Sequence, residues 1–494
     1  RRRSVTRARG RVGAAARYVA DVRTSIGRGI AWTGVAGVVL GVLDVAATLL
    51  LLRCWLTPAE YGVAALVTPL FPMFDLMADA GFAAAVVQAD DAEPDAVSAA
   101  FWASCGASLV VALALFAVGP ALAAAHGQPV LALLVPAYGA KLAVWNLVAI
   151  PSAVLRRELR FGAVAKIRTA AALAEFAGKV LAAAAGLGVW CFVIGQLAKA
   201  GMAAVATLAT SGFRPRWRCD RRAVARYWRF GRRTSASQVL FHLYTNADYQ
   251  IVGLWFGAAA TGLYRAAYEL VLEPTKLLSY VVVEVAFPVF ARLRHDLVAL
   301  RARLIEFTRS NLLVLVPVLT ALVLVPGDWL AVFYGERWRA GAHAVRLLCA
   351  VGALRALAFL LPPLLDGVGR AELTLRYTLI AAVLVPASQL AAAVALGPSL
   401  GWTAVAWAWV AGYPLAFAVL LALALGQIEL APRRYLAAVA PFLGVGVVGL
   451  AAGAATAAAA GGLPALARVA AVSAAVVVSD GAAWLLVRRA RPRW

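Results

Sequence analysis

Arg265, Glu269, Glu273, Lys276, Tyr280 and Glu284 follow one another at spacings of 4, 4, 3, 4 and 4. At about 100° per residue this puts all six within roughly a 100° arc of one helix, a polar stripe in an otherwise apolar segment. Two chemistries fit. In one, the stripe lines a wet cavity, its cations meeting an anionic ligand and its acids carrying a coupling proton or cation. In the other, Glu273 with Lys276 and Arg265 with Glu269 neutralise each other as structural ion pairs between helices. Glu284 has no partner in the stripe, and Pro274 removes a backbone hydrogen bond inside it and permits a bend; both features favour the cavity.

Residues 168–179 repeat the design, with Arg168, Glu175 and Lys179 at spacings of 7 and 4, and Lys141 and Lys199 add cations to the same half. The chain has 42 Arg and 5 Lys, and every lysine lies in an apolar segment. A compact ammonium meets phosphate as a point charge, whereas Lys166 sits where snorkelling is ordinary. Asn246 and Asp248 interrupt a further apolar run, where a lipid-facing carboxylate is untenable. A cavity-facing Asp248 could carry a coupling ion, or hold a lysine or arginine of the opposite half until substrate displaces it. Asp75 and Asp79, one turn apart, are the matching acids of the first half. For each acid the alternative is a hydrogen-bonding clamp between helices. The candidate cavity residues are thus Lys141, Lys179, Lys199, Arg265, Lys276 and Asn246. The coupling or gating candidates are Asp75, Asp79, Asp248, Glu269, Glu273 and Glu284.

What must position these residues is set by composition. The chain of 494 residues is 63% hydrophobic and 14% charged, with a mean hydropathy of +0.82, which excludes a soluble globular protein. It reads as an all-α integral membrane protein. Roughly 20 apolar residues cross a bilayer, and fourteen such spans are expected, at 30–53, 61–87, 97–119, 129–155, 161–186, 189–211, 234–256, 262–290, 305–326, 343–365, 375–397, 401–426, 436–457 and 464–487. The run from residue 30 is too long for a signal-peptide core and is expected to be the first helix.

The net charge of +23 is not spread evenly. Basic residues fill alternate connections, with 9 in residues 1–28 and 9 in residues 212–233, while the opposite set holds only Arg53, Arg337 and Arg339. This asymmetry predicts that both termini are cytoplasmic and that the basic segments face lipid headgroups and not nucleic acid. The expected organisation is a basic N-tail (1–29), an N-lobe of six helices (30–211), a basic cytoplasmic linker (212–233), a C-lobe of six helices (234–426), two further helices (427–487) and a basic tail (488–494). A faint repeat at an offset of 200 residues sets Gly62 against Gly262; equal halves of six helices imply parallel repeats around a central cavity. The five cysteines form no CxxC pair and read as apolar fillers, with no metal site.

Four segments resemble polysaccharide-export flippases of the Wzx type, in the multidrug/oligosaccharidyl-lipid/polysaccharide (MOP) superfamily, in particular the branch with colanic-acid-type exporters. They are DLMADAGFAAAVVQ (75–88), NADYQIVGLWFGAAATGLYRAAYEL (246–270), VEVAFPVFARLRHD (283–296) and FYGERWRAGAHAVRLL (333–348). The resemblance implies a MATE-like body of fourteen helices, working by alternating access to move polyprenyl-diphosphate-linked oligosaccharide out across the bacterial cytoplasmic membrane. Membrane lipids, the lipid-linked glycan and the polysaccharide polymerase or export machinery are the partners it implies. The first-helix region carries only Asp44 as an acid and no arginine pair, unlike peptidoglycan-precursor flippases.

The competing transport function is drug or small-molecule efflux by related antiporters, against which the intramembrane cations argue. A membrane glycan ligase or transferase needs an aqueous site with a base or metal, and no loop holds HxxE, DxD or an extra domain; QADDAEPDA (88–96) reads as a solvated acidic loop. A scaffold for the polysaccharide machinery is the remaining class. The expectation is a transporter and not an enzyme, with no cofactor beyond a coupling H+ or Na+.

Overall fold

The computed structural model describes residues 40–489 apart from 42, 80, 89–92 and 219, and excludes the side chains of 230–237, 244 and 487–489. The expected N-tail, the first ten residues of the first span, Asp90, Asp91, Cys219 and the end of the C-tail lie outside the described residues. Among the described residues every regular element is helical. A membrane-spanning chain is driven to this choice, because a helix satisfies its own backbone groups where no water can.

After helical residues 40, 41 and 43–54, the chain forms α1 (Pro58–Val67), α2 (Phe71–Asp79), α3 (Phe82–Gln88), α4 (Pro94–His126), α5 (Leu131–Arg157), α6 (Phe161–Ala184), α7 (Trp190–Ser211) and α8 (Arg221–Thr245). There follow α9 (Ala247–Arg292), α10 (Leu297–Leu324), α11 (Pro326–Phe333), α12 (Ala342–Ala358), α13 (Leu361–Gly367), α14 (Ala371–Ala395), α15 (Gly397–Leu400), α16 (Thr403–Gln427), α17 (Pro432–Ala459) and α18 (Ala465–Arg489).

Ten helical segments among the described residues are long and apolar enough to cross a membrane, against the fourteen expected. The ten do not include α6 or α9, whose charged and polar stripes lower their hydropathy. The expected second span is divided: α1 runs through a 3-10 turn at Thr68–Leu70 into α2, and α3 follows a turn at Gly81. The expected seventh span is broken at Asn246, which leaves helical geometry at φ −121° and ψ 10°. Just past its end Gly257 stands at φ 82° and ψ 176°, a conformation that only glycine adopts without strain. The expected linker is helical from Arg221, and its preceding segment is docked: Arg216 and Arg218 pair with Asp95 at 3.0 and 3.1 Å, and Trp217 stacks on Trp102.

The chain divides into two compact units, one from residues 1–55 and Phe71–Val239, the other from Leu56–Leu70 and Leu240–Trp494. In the first, α4 packs on α5 and α6 on α7 through small residues that let backbones approach: Gly139 seats on Ala112, and Gly178 on Gly195 and Ala198. Leu109, Val110, Leu113 and Phe116 of α4 stay exposed, as suits a face solvated by lipid. The division does not follow the two runs of six spans, because residues 56–70 group with the second unit. Local chemistry starts α1 cleanly: Thr57 and Glu60 form a reciprocal capping box ahead of Pro58. Gly62 and Gly262 then bring α1 and α9 into backbone contact.

At the C-terminal end of the second unit α17 packs on α18 and both pack on α10. Arg468 at the start of α18 is tied to Asp328 of α11 at 2.6 Å, and Arg339 holds the same carboxylate at 2.8 Å. Deeper in α18, Asp480 is 2% exposed, and neither carboxylate oxygen has a hydrogen-bond partner among the described residues. It faces Gly449 of α17, whose missing Cβ leaves the carboxylate its space. An unpartnered buried polar group costs about 1–3 kcal/mol, so Asp480→Ala is expected to raise the melting temperature of the purified protein. Gly449→Ala should lower it, and differential scanning fluorimetry reads both; a stabilised Gly449→Ala would mean that the two helices part easily at this level.

Candidate functional site

In the first unit Lys141, Lys179 and Lys199 fall into two charged groups. Lys141 on α5 is buried, pairs with Asp75 on α2 at 2.6 Å, donates to the Tyr138 hydroxyl at 3.0 Å and lies over the Tyr138 and Trp145 rings. The second group is built across three elements. Glu175 on α6 takes Lys179 at 2.8 Å, Lys199 of α7 at 2.7 Å and the Gln196 amide at 2.8 Å, while Lys179 also reaches Asp44 at 3.3 Å. The i,i+4 spacing of Glu175 and Lys179 forms one arm of this network, and the close α6–α7 approach at Gly178 and Gly195 brings up the other. Arg168, on the expected face of α6, joins no ion pair among the described residues.

The stripe of α9 in the second unit changes character along its length. At its first end Arg265 and Glu269 are largely enclosed and pair at 2.7 Å; Tyr61 donates its hydroxyl to Glu269, Thr68 bonds Arg265, and the guanidinium lies 4.7 Å from the Tyr61 ring centroid. One turn on, Glu273 and Lys276 pair at 2.7 Å in the open, with side chains 52% and 59% exposed. Tyr280 and Glu284 are exposed as well, and Glu284 joins no ion pair among the described residues. The stripe therefore holds ion pairs at one end and an accessible polar face at the other. Both expected pairs form, but within α9 itself and not between helices, because i,i+3 and i,i+4 neighbours already lie within reach.

Asp248 is fully buried, and no lysine or arginine among the described residues lies at ion-pair distance. Its carboxylate accepts from the Tyr264 hydroxyl at 2.7 Å, the Trp409 indole N–H at 3.2 Å and the Tyr249 backbone N–H at 3.0 Å. This is the geometry of the clamp alternative, and the helix break at Asn246 places the residue in the first turn of α9. Asn246 serves that break, giving its amide N–H to the His242 carbonyl at 2.8 Å. Asp79 likewise ends α2, accepting from the Ala83 N–H at 3.3 Å.

Taken together, every expected cavity cation has an acid: Lys141 has Asp75, Lys179 and Lys199 share Glu175, Arg265 has Glu269 and Lys276 has Glu273. Each of these five cations thus stands beside a carboxylate. Sequence reasoning passes over Arg355. Arg355 of α12 donates to the Tyr268 hydroxyl at 2.9 Å and stacks over Trp409 at 4.6 Å, Tyr413 at 5.5 Å and Tyr268 at 5.7 Å. An arginine inside the apolar GALRALAFL run is its signal in the sequence.

A family model described as polysaccharide biosynthesis protein matches residues 51–343. The lipopolysaccharide biosynthesis protein WzxC of Escherichia coli (strain K12) is 25% identical over 387 residues, covering 76% of this chain and 77% of that one. The teichuronic acid biosynthesis protein TuaB of Bacillus subtilis (strain 168) is 26% identical over 302 residues, 60% of this chain and 62% of TuaB. The succinoglycan biosynthesis transport protein ExoT of Rhizobium meliloti (strain 1021) is 25% identical over 66% of both chains. Among solved structures, the lipid II flippase MurJ in an inward closed conformation superposes with a TM-score of 0.71 over 92% of this chain and 99% of MurJ, at 12% identity. A MATE-family multidrug resistance transporter of the MOP superfamily, inward-facing, gives a TM-score of 0.61 over 80% of this chain and 96% of that one, at 15% identity. These two likenesses concern the fold.

Proposed function

The chain belongs to the polysaccharide biosynthesis protein family, and from that premise we infer that it is a membrane flippase moving a lipid-linked oligosaccharide for surface polysaccharide synthesis. The family match over residues 51–343 carries this reading. The relatives' names support it, since they speak of teichuronic acid, lipopolysaccharide and succinoglycan and, for ExoT, of transport. The fold shared with a lipid II flippase supports it further. In this reading the carrier is a polyprenyl diphosphate, the membrane is the bacterial cytoplasmic membrane, both termini are cytoplasmic, and fourteen helices in two lobes work by alternating access. A lipid-linked sugar must keep hydrogen bonds while its head crosses a layer where no water supplies them. The exposed end of the α9 stripe, with Glu273, Lys276, Tyr280 and Glu284, offers donors and acceptors for this. Glu284 is the stripe carboxylate open to a coupling H+ or Na+.

Translocation in proteoliposomes tests the reading. With a fluorescent polyprenyl-diphosphate oligosaccharide in the bilayer, wild type is expected to move label between leaflets in a protein-dependent manner. Lys276→Ala should slow it several-fold without changing the melting temperature, because the Glu273–Lys276 pair is exposed and such pairs contribute little to stability. Absence of label movement with folded protein across teichuronic-type, colanic-type and succinoglycan-type repeat units would overturn the reading, and movement of a cationic dye in its place would assign the chain to efflux.

A further inference from the structure

Arg355 stands apart from the cations discussed above in how its charge is held. It lies within the candidate span Glu336–Gly367, where an ionised side chain is costly unless it has a partner or a function. No carboxylate lies at ion-pair distance from it among the described residues. Its support is aromatic: the faces of Trp409, Tyr413 and Tyr268 and the Tyr268 hydroxyl. Rings stabilise and orient a guanidinium without neutralising it. The acid that shares a ring with it is Asp248, which receives the indole N–H of Trp409 at 3.2 Å and is already satisfied by Tyr264 and the Tyr249 amide.

This platform is rigid. Trp409 and Tyr264 are buried and bonded to each other at 2.9 Å, and Tyr249, Tyr264, Tyr268, Trp409 and Tyr413 form an edge-to-face and tilted cluster. The aromatic tier holds the guanidinium against the rings, and the side chain is half-buried. The five donors of a guanidinium outnumber the two hydroxyls that engage this one, Tyr268 and Tyr413. A planar fork of this kind matches the paired oxygens of a phosphate or diphosphate.

We propose that Arg355, on its Tyr268–Trp409–Tyr413 platform, is an anion-binding residue of the second unit that takes the phosphate end of the translocated molecule. The assignment of that anion to a lipid-linked substrate rests on the flippase reading; the anion site itself does not. Neutral polar ligands would gain less from Arg355 than an anion does, and an ammonium ligand would be repelled.

The test uses the full-length protein in phosphatidylcholine nanodiscs, with undecaprenyl diphosphate and undecaprenol as matched probes that differ only in the headgroup. Binding is read as a shift of melting temperature across a titration. Wild type is expected to discriminate strongly for the diphosphate. Arg355→Gln should bind it about tenfold or more weakly, the usual loss for charge-assisted hydrogen bonds, and Arg355→Lys should fall between, having charge without the fork. Tyr268→Phe, which frees the guanidinium to rotate, should also weaken binding and serves where Arg355→Gln yields no folded protein. Inorganic pyrophosphate and phosphatidylglycerol form the other arms: stabilisation by pyrophosphate alone would assign the site to a free anion, and stabilisation by phosphatidylglycerol to bulk lipid. Equal diphosphate affinity in wild type and the Arg355 and Tyr268 variants would overturn the proposal, even with translocation intact. Discrimination that depends on Arg355 would sustain it, even with no glycan translocated, in which case the flippase reading alone would fall.

Discussion

Gly62→Ala and Gly262→Ala are each expected to prevent recovery of folded, monodisperse protein, or to lower its melting temperature further than any other single methyl group added to the chain. A Cβ on Gly62 would overlap the Ala258 carbonyl, and one on Gly262 would overlap the Pro58 carbonyl; each added carbon would also stand 2.9 Å from the backbone nitrogen of the opposing glycine. The obstacle is backbone, which no rotamer change relieves. Overpacking a core by a methylene costs about 1–3 kcal/mol when side chains give way, and here α1 and α9 must separate instead. Separation would also draw apart Tyr61 from Glu269, Thr68 from Arg265, and the Gln250 amide from the Leu66 carbonyl it meets at 2.7 Å. Gly201→Ala and Gly444→Ala, where an added Cβ meets nothing within 4 Å, are the controls. They should be neutral or stabilising by up to about 1 kcal/mol, the helix-propensity difference between the two residues. Size-exclusion profiles and thermal melts decide, and a Gly62→Ala protein melting with the wild type would show that α1 and α9 do not meet so closely.

Glu175→Ala should be the second most damaging change. Among the described residues it leaves Lys179, whose side chain is 9% exposed, with Asp44 at 3.3 Å as its remaining acid, and takes from Lys199 its partner at 2.7 Å. Removing one member of a buried ion pair costs about 3–5 kcal/mol, because the remaining charge stays desolvated. Glu175→Gln keeps the shape and an acceptor oxygen, and should lose less. The double variant Glu175→Ala/Lys179→Met should recover stability relative to Glu175→Ala alone, since apolar replacement of a buried pair is often close to neutral. Thermal melts of wild type and the three variants give the comparison. If Glu175→Ala costs no more than Glu175→Gln, the lysines are hydrated and the network is open to water.

The reciprocity at the α1–α9 crossing bears on how the chain is built. Pro58 meets Gly262 and Ala258 meets Gly62, each pair related by the 200-residue offset that aligns the two glycines in the sequence. A self-complementary contact of this form is what a two-fold relation between repeated segments produces. The offset is legible in the sequence; that the aligned residues touch follows only from the way α1 and α9 cross.

Much else is legible in the residues themselves. Hydropathy dictates an all-helical membrane protein, since only a helix closes its backbone hydrogen bonds locally in lipid, and the described chain is helical throughout its regular elements. The 3.6-residue period places Arg265 through Glu284 on one face and Glu175 beside Lys179, because these relations lie inside a single helix. The four resembling segments point to the family that the match over residues 51–343 shows. Relations that join helices distant in sequence belong instead to the packing. Asp75 and Lys141 are 66 residues apart, and Tyr61 and Glu269 are 208 apart; no local period reports how two helices are rotated or at what depth they cross. For the same reason Asp248 reads as a cavity acid in the sequence, although Trp409, 161 residues away, helps to enclose it, and Arg355 draws no notice there, although the same indole lies beneath its guanidinium. A charge in a membrane declares from sequence that something must answer it, and only packing says whether that answer is an acid, a ring or a ligand.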